Sequence, residues 1–294
     1  MKGASIESVL SPLFPYPAML LTKGKDRILA VADLHIGWEV ALAEQGIHVP
    51  SQTPKMKEKL LKLVDLYKPS TLLFLGDVKH TIARVELEEW RDIPDLFESL
   101  QKKVADIKVI LGNHDGNLEP LLPSSIQIIP PTGIALHETG FFHGNAWPAP
   151  ELLQCHSLVI GHVHPTVAFR DQIGFRITTQ VWVRAKVDGK QLVKTFLKGI
   201  GYRTKPSDDP FKLLFKTFGV KFKVSEFYIM PYFNEFLGGR PINRSGKGKY
   251  DRSSRSIEYL GPLLRSGSID VEDAEVYMLD GTFLGTINQL RSYS

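Results

Sequence analysis

The chain has one cysteine among 294 residues, and this scarcity excludes two kinds of site. A single cysteine cannot form an intramolecular disulfide, and it cannot supply the several thiolates of a structural zinc site. Any metal ion held by this chain is therefore expected to bind nitrogen and oxygen atoms. Cys155 itself is expected to be a small buried side chain.

The chain also lacks long hydrophobic runs and a strong excess of charge of one sign. No apolar stretch reaches the roughly 18 residues of a membrane span, and the segment MKGASIESVLSPLFPYPAML has no uninterrupted apolar core like that of a secretory signal. The sequence thus predicts a cytoplasmic protein that does not enter a membrane. The net charge of +4 allows attraction to phosphate-bearing partners without requiring it.

Residues of the types that bind metal ions follow five apolar runs. Such runs, rich in β-branched residues and bounded by glycine or aspartate, predict buried β-strands. Metal-binding side chains are therefore expected where strands end. The five motifs are Asp33-Leu34-His35 after ILAVA, Gly76-Asp77 after TLLFL, Gly112-Asn113-His114-Asp115 after IKVIL, His143-Gly144 after GFF, and Gly161-His162-Val163-His164 after SLVI.

Strands and helices alternate in the first half of the chain. The sequence predicts two strands within residues 18–32, a helix over 53–67, a strand over 71–75, a helix over 84–103 and a strand over 107–111. This order predicts parallel strands with crossover helices, whose carboxyl ends gather the motif residues. The apolar face of the 84–103 helix is expected to comprise Leu87, Trp90, Ile93, Leu96, Phe97 and Leu100.

Closely spaced strands follow from residue 126 and predict a second, largely antiparallel sheet. One of them, KQLVKTFL, is expected to pair with VWVRAKV across a hairpin at Asp188-Gly189, and another hairpin is expected around Asp280-Gly281. Residues 203–223 fit either a surface helix or a strand pair. We expect one domain for residues 1–294, with a core at about 18–200 and C-terminal decoration over about 201–294.

The motif residues are of the right types to hold two divalent cations. A D-x-H motif places a carboxylate and an imidazole on the same side of the chain, and Asp77 can bridge two cations through its two oxygens. The amide oxygen of Asn113 and the imidazoles of His143, His162 and His164 supply further ligands. Two ions about 3.5 to 4 Å apart can hold a hydroxide and phosphate oxygens for in-line attack.

The leaving oxygen of such a reaction must be protonated, and His114, next to Asn113, is the candidate general acid. We expect Asp115 to fix the loop or orient a histidine rather than to bind metal. His48, His137 and His156 stand outside the motifs and are expected to be ordinary surface or strand histidines.

The chain resembles the calcineurin-like metallophosphoesterase superfamily over roughly residues 18–170. The five motifs match the pattern of that superfamily in order along the chain: D-x-H, G-D, G-N-H-D/E, H and G-H-x-H. The resemblance implies an α/β (α+β) fold, a four-layer αββα sandwich of two mixed β-sheets. It implies one metal ion held by Asp33, His35, Asp77 and His164, a second held by Asp77, Asn113, His143 and His162, and His114 as the acid.

A narrower resemblance is to the DNA-ligase-associated metallophosphoesterases and the archaeal phosphoesterases related to repair nucleases. The segments ADLHIGWE, GDVKH, HGNAWP, GHVHP and MPYFNEFLGG carry it. It implies a nucleotide or nucleic-acid substrate and a DNA-repair protein as partner. The chain departs from the superfamily at His80, where many members have Asp or Asn, and at Asn145, where relatives often have a second histidine.

Three hypotheses for function follow. The first is a dimetal phosphodiesterase acting on nucleotide or nucleic-acid-derived esters, in which a metal-bridging hydroxide attacks phosphorus. The second is a nuclease of the same chemistry, for which the basic run from Arg244 to Arg255 would follow a phosphate backbone, although such runs are more often solvated loops. The third is a non-catalytic scaffold for protein interactions. Manganese is the expected metal, with iron, nickel or zinc as alternatives.

Overall fold

The computed structural model describes residues 7–170, 175–205, 207–244 and 260–293. Two β-sheets face each other in this part of the chain, and helices cover the outer face of each. The predicted four-layer arrangement of two mixed sheets is therefore confirmed. Of the basic run predicted from Arg244 to Arg255, only Arg244 lies within the described residues.

The first sheet has six strands in the order β1-β2-β3-β4-β5-β6. They are β1 (Val9–Pro12), β2 (Ala18–Lys23), β3 (Asp26–Val31), β4 (Thr71–Leu75), β5 (Asp106–Ile110) and β6 (Gln127–Ile129). The strands β1, β2 and β3 are antiparallel, and β3 to β6 are parallel. The predicted parallel order is confirmed, whereas the sequence does not predict β1. The prediction is wrong for β6, which is expected in the second sheet but pairs in parallel with β5 in the first.

Three helices connect these strands: α1 (Trp38–Ala43), α2 (Thr53–Tyr67) and α3 (Leu87–Gln101). The predicted apolar face of α3 is wrong in its first turn, because Leu87 is 83% and Trp90 51% exposed. Buried Glu89 instead continues the stripe of Ile93, Leu96, Phe97 and Leu100 at helical spacing. Its carboxylate accepts hydrogen bonds from the backbone N–H groups of His80 and Thr81.

The second sheet has nine strands and mixes parallel and antiparallel pairs. Its order is β13-β10-β11-β12-β9-β8-β7, with β14 paired to β11 and β15 to β14. The strands are β7 (Ile134–Leu136), β8 (Thr139–Phe141), β9 (Ser157–Ile160), β10 (Pro165–Arg170), β11 (Arg176–Lys186), β12 (Glu226–Ile229), β13 (Arg240–Pro241), β14 (Glu275–Met278) and β15 (Phe283–Thr286). Among the pairs, β8 with β9, β9 with β12, and β10 with β13 are parallel.

The strand predicted for KQLVKTFL is wrong, since this segment forms the helix α4 (Gly189–Gly199). Asp188 is not a hairpin turn residue: it caps the helix, and its carboxylate accepts a hydrogen bond from the backbone N–H of Gln191 at 3.0 Å. The buried side chains of α4 are Leu192, Val193, Phe196 and Leu197. Their spacing of three to four residues is that of a helix face packed on a sheet.

The remaining helices are α5 (Pro210–Phe218), α6 (Gly261–Arg265) and α7 (Ile287–Leu290), and 3-10 helices occupy Glu119–Leu121, Pro150–Gln154 and Arg291–Tyr293. The helix alternative for residues 203–223 is thus the one observed over α5. The hairpin predicted around Asp280-Gly281 joins β14 to β15. The division into a core and a C-terminal decoration stays a prediction, but β12, from the C-terminal part, lies between β11 and β9 inside the second sheet.

Three apolar clusters hold the layers together. One lies between the two sheets and includes Ala30, Leu73, Val159 and Trp182. Another packs α2 and α3 on the first sheet, and the third packs α4 to α7 on the second. Cys155 is buried beside the second sheet, as predicted. Within the described ranges, no helix has both the length and the apolar character needed to cross a bilayer.

Candidate metal centre

All eight predicted site residues lie in loops that follow the carboxyl ends of β3, β4, β5, β8 and β9. Parallel strands present these ends at one edge of a sheet, and the two sheets face each other, so the five loops converge. Possible metal-binding atoms form three groups, each with its atoms within 4.8 Å of one another. One of them joins His35 to His80 and His114, and the other two consist of predicted ligands alone. The first group is Asp33, His35 and His164, and the second is Asp77, His143 and His162.

The first group is tightly packed around Asp33. The Nε2 atom of His164 lies 3.4 Å from Asp33 Oδ1 and 3.3 Å from His35 Nε2. The backbone N–H of His162 donates to Asp33 Oδ2 at 3.0 Å, which fixes this carboxylate. One carboxylate oxygen and two imidazole nitrogens therefore converge on one potential metal-binding position.

The second group includes an amide oxygen. His143 Nε2 lies 3.3 Å from Asp77 Oδ2 and 3.2 Å from Asn113 Oδ1. The other ring nitrogen of His143, Nδ1, donates a hydrogen bond to the carbonyl of Leu75 at 2.7 Å. Nε2 is therefore the nitrogen of this ring that can bind a metal ion in the group.

Asp77 lies between the two groups. Its Oδ2 is 3.4 Å from His35 Nε2 in the first and 3.3 Å from His143 Nε2 in the second. Its Oδ1 accepts the backbone N–H of His114 at 2.8 Å. A single carboxylate oxygen thus faces both clusters of donors, whereas the sequence predicts a bridge through both oxygens of Asp77.

The electrostatics of the site favour cations, and two of its imidazoles are neutral at pH 7. Burial lowers the pKa of His35 to about 3 and that of His162 to about 4, so both rings are neutral at pH 7 and present a lone pair. Burial would also lower the pKa of His143, but the Asp77 and Asp33 carboxylates raise it to about 9. Two buried carboxylates thus attract positive charge to this place.

The backbone of the site is strained. Five of the eight residues, Asp33, His35, Asp77, His162 and His164, have left-handed φ values between 46° and 66°. Non-glycine residues adopt this region at a cost of about 1–2 kcal/mol each. Strain of this kind persists where the surrounding structure enforces a functional geometry.

Asp115 fixes the loop of the third motif, as the sequence predicts. Its carboxylate accepts hydrogen bonds from the backbone N–H groups of Gly112 at 2.8 Å, Val78 at 2.8 Å and Lys79 at 3.2 Å. It thereby joins the loop after β4 to the loop after β5, and so sets Asp77 relative to Asn113.

His80 lies against the histidines of the site. Its Nδ1 is 3.2 Å from His35 Nδ1, and its carbonyl oxygen accepts a hydrogen bond from Nδ1 of His114. A carbonyl can only accept, so the proton of His114 Nδ1 is fixed there and Nε2 remains for other contacts.

The segment after β12 contacts the loops of the site, a structural role that its sequence MPYFNEFLGG does not predict. The Tyr232 ring lies 5.3 Å from that of His164. Buried Asn234 donates to the carbonyl of Leu34 at 3.1 Å and accepts from the N–H of Phe236 at 3.1 Å. The contact of Asn234 with Leu34 joins residues 200 positions apart, which no local pattern reveals.

Replacing Asn234 by alanine is expected to lower the free energy of unfolding by about 1–3 kcal/mol, because the Leu34 carbonyl would lose its buried partner. Urea denaturation measures this loss. The matched control is Asn288→Ala at an exposed position, expected to change stability by less than about 0.5 kcal/mol. Equal losses in both variants would show that Asn234 is not a brace.

Gly112 makes close packing of the site possible, because a Cβ there would overlap Oδ1 and the backbone N of Asp77. Gly112→Ala is therefore expected to displace Asp77 and to weaken manganese binding by about 10- to 100-fold in calorimetric titration. At Gly238 a Cβ would meet no atom within 4 Å, so Gly238→Ala is expected to bind manganese like the parent chain. Unchanged affinity in Gly112→Ala would contradict this account of the loop.

The donor set fits divalent metal ions. Imidazole nitrogens, carboxylate oxygens and one amide oxygen face each other at 3.2 to 3.4 Å, and the carboxylates are buried. Such mixed nitrogen and oxygen ligands suit manganese, iron, nickel or zinc. The seven predicted ligands, Asp33, His35, Asp77, Asn113, His143, His162 and His164, are all brought together here.

Comparison with known proteins agrees with this geometry. The sequence profile of the calcineurin-like phosphoesterases, a metallophosphoesterase family, matches residues 26–185, more than half of the chain. The chain belongs to the calcineurin-like phosphoesterase family. The matched range contains all five motif loops. The family assignment and the candidate metal centre therefore depend on the same residues. No curated protein matches the sequence significantly.

Solved structures that match this chain include a nuclease and a phosphoesterase. The crystal structure of Pseudomonas putida nuclease MPE is 18% identical, with a TM-score of 0.51, and the match covers 95% of this chain and 100% of that one. The E. coli phosphoesterase Yfce is 22% identical, with a TM-score of 0.33, covering 49% of this chain and 73% of that one. The first likeness shows that the fold extends through the C-terminal part of the chain.

Proposed function

We propose that this protein is a dimetal phosphodiesterase that hydrolyses nucleotide or nucleic-acid-derived phosphoesters. The observation that carries the proposal is the position of Asp77, whose Oδ2 faces His35 in one donor group and His143 in the other. A carboxylate shared in this way is suited to bridge two cations, and a pair of cations is suited to phosphoester hydrolysis.

Asp33, His35, Asp77 and His164 would hold one ion, and Asp77, Asn113, His143 and His162 the other. When bound, two divalent ions activate a water molecule for attack on phosphorus and offset the charge of the phosphate. The chain itself positions these ligands through Asp115, the Leu75 carbonyl and the left-handed turns described above.

His114 would donate a proton to the leaving oxygen. Its backbone N–H is fixed to Asp77 Oδ1, and its Nδ1 proton is fixed to the His80 carbonyl. Nε2 is therefore the atom that can carry and release a proton, and the ring centroid lies 4.7 Å from that of His35 at the metal ligands.

A nuclease of the same chemistry is the second candidate. Exposed arginines Arg170, Arg176 and Arg244 favour it, and the similar Pseudomonas putida structure is named a nuclease, although a shared fold alone does not transfer an activity. The scaffold hypothesis ranks last, because every expected ligand and the acid are present. Manganese as the metal, a cytoplasmic location and a DNA-repair partner remain parts of the proposal.

A substrate screen tests the proposal. Manganese-loaded protein is incubated with phosphomonoesters, 2',3'-cyclic nucleotides, linear diesters and single-stranded DNA, and released product is measured. We expect diesters to be hydrolysed faster than monoesters. Hydrolysis of monoesters alone would contradict the phosphodiesterase, and no hydrolysis of any ester would favour the scaffold.

A further inference from the structure

A row of exposed arginines runs along one edge of the second sheet and begins at the metal centre. Arg240 opens β13, and its backbone N–H donates to the carbonyl of His164 at 3.0 Å. His164 belongs to the first donor group. The first arginine of the row is therefore anchored directly to a candidate metal ligand.

The chain beyond β13 follows β10 away from the centre. The N–H of Ile242 donates to the carbonyl of Thr166 at 2.8 Å. Buried Asn243 accepts from the N–H of Ala168 at 3.0 Å and donates to its carbonyl at 2.9 Å. These bonds place Arg244 beside the far half of β10.

Two more arginines complete the row at the far end. Arg170 and Arg176 are direct partners in the register of β10 and β11, and both are exposed. Burial, followed by the positive charges of Arg244 and Arg170, lowers the pKa of Arg176, so both of these arginines lie close enough to Arg176 to repel its charge. Within the described ranges, none of them has a carboxylate at ion-pair distance.

This arrangement does not serve the stability of the sheet. Like charges placed directly opposite each other on paired strands are destabilising, and a third arginine beside them adds to the repulsion. The flanking residues Phe175 and Ile177 are 69% and 60% exposed. Clustered arginines with exposed apolar and aromatic neighbours are typical of surfaces that hold a phosphate backbone and stack unpaired bases.

We propose that Arg170, Arg176 and Arg244 hold the phosphate backbone of a single-stranded nucleic acid and guide it toward the metal centre. The proposal rests on the proposed function, and it selects nucleic acid as the substrate class. From Pro165 to Arg170 the strand covers roughly 17 Å at about 3.3 Å per residue. That length corresponds to about five nucleotides stacked as in one strand of a duplex, at roughly 3.4 Å each, and to fewer nucleotides of an extended strand.

The test compares two triple variants with the same change in charge. The first is Arg170→Gln, Arg176→Gln and Arg244→Gln. The control is Arg203→Gln, Lys212→Gln and Lys216→Gln, exposed positions on and near α5, which packs on α4 rather than on the arginine row. Binding of a fluorescent phosphorothioate dT12 to the manganese-loaded protein is measured between about 50 and 200 mM salt, a range wide enough to give a slope. Thermal unfolding verifies that each variant folds.

We expect the first variant to bind the oligonucleotide on the order of 10- to 100-fold more weakly, with a salt slope reduced by about two units, because single strands lose about 0.7 unit per phosphate contact. The control variant should keep the affinity and slope of the parent chain. Equal weakening in both variants would show that binding depends only on net charge and would contradict the proposal. Unchanged binding in the first variant would also overturn it.

Two further measurements keep this proposal separate from the proposed function. Both variants are assayed on bis-p-nitrophenyl phosphate, which is too small to reach the arginine row. If the parent chain does not hydrolyse this ester, the proposed function is contradicted. If it does, but the arginine substitutions leave dT12 binding unchanged, only the proposed role of the arginine row is contradicted. Binding of the parent chain to phosphatidylserine vesicles but not to dT12 would assign the row to a membrane and overturn the nucleic-acid proposal.

Discussion

Replacing Asp77 by asparagine is expected to release both metal ions together and to lower phosphodiesterase activity on the order of 1,000-fold. The variant removes the charge of the one carboxylate oxygen that faces both His35 and His143. Replacing a residue that only supports a metal ligand typically lowers metal affinity or activity by about 10- to 100-fold. Replacing a ligand shared by two ions should therefore lower them more. Asparagine tolerates the left-handed backbone at this position, where φ is 51°, so the fold should persist.

Metal content after gel filtration, measured by mass spectrometry, gives the result directly. The control is Asp95→Asn, an exposed carboxylate paired with Lys57, which should retain both ions and full activity. Loss of one ion only would restrict Asp77 to a single donor group. Two tightly held ions in Asp77→Asn would contradict its assignment as the bridge.

Replacing His114 by alanine should slow hydrolysis by an amount that depends on the leaving group. A general acid contributes about 100- to 10,000-fold when the leaving oxygen is a poor leaving group and needs a proton. Nitrophenolate needs little protonation to leave, so the hydrolysis of p-nitrophenyl esters should slow only about a few-fold. The loop itself is fixed by Asp115 and by the backbone of residue 114, both of which alanine keeps.

The comparison of kcat/KM for alkyl and p-nitrophenyl diesters measures this difference. His156→Ala serves as the control, because His156 is exposed and bonds only to serines and backbone far from the metal centre. Equal slowing of both ester classes in His114→Ala would show that the ring supports the site in another way than by donating a proton.

The sequence predicts the layers and the site well where the signal is local. An apolar run followed by Asp33 or Asp77 identifies both a buried strand and the loop at its carboxyl end. Because parallel strands share one edge, the gathering of ligands follows from strand order alone. The same reasoning fails at Asp188-Gly189, since Asp followed by Gly begins a helix as readily as it turns a hairpin. The decisive signal there was the helical spacing of Leu192, Val193 and Phe196.

Long-range and conformational features of the site lie outside such patterns. The contact of Asn234 with Leu34 spans 200 residues, and only the fold brings the two together. The left-handed backbone at His162 and His164 contradicts the intrinsic preference of these residues, because the surrounding fold enforces it. The like-charged pair of Arg170 and Arg176 becomes visible only once the register of β10 and β11 is known.

The central claim is that five loops form one centre for two divalent cations, and anomalous diffraction from manganese-soaked crystals tests it most directly. The account predicts two anomalous peaks, one in contact with Asp33, His35 and His164, the other in contact with Asn113, His143 and His162, and Asp77 in contact with both. A single peak, or peaks that lie elsewhere on the molecule, would contradict it.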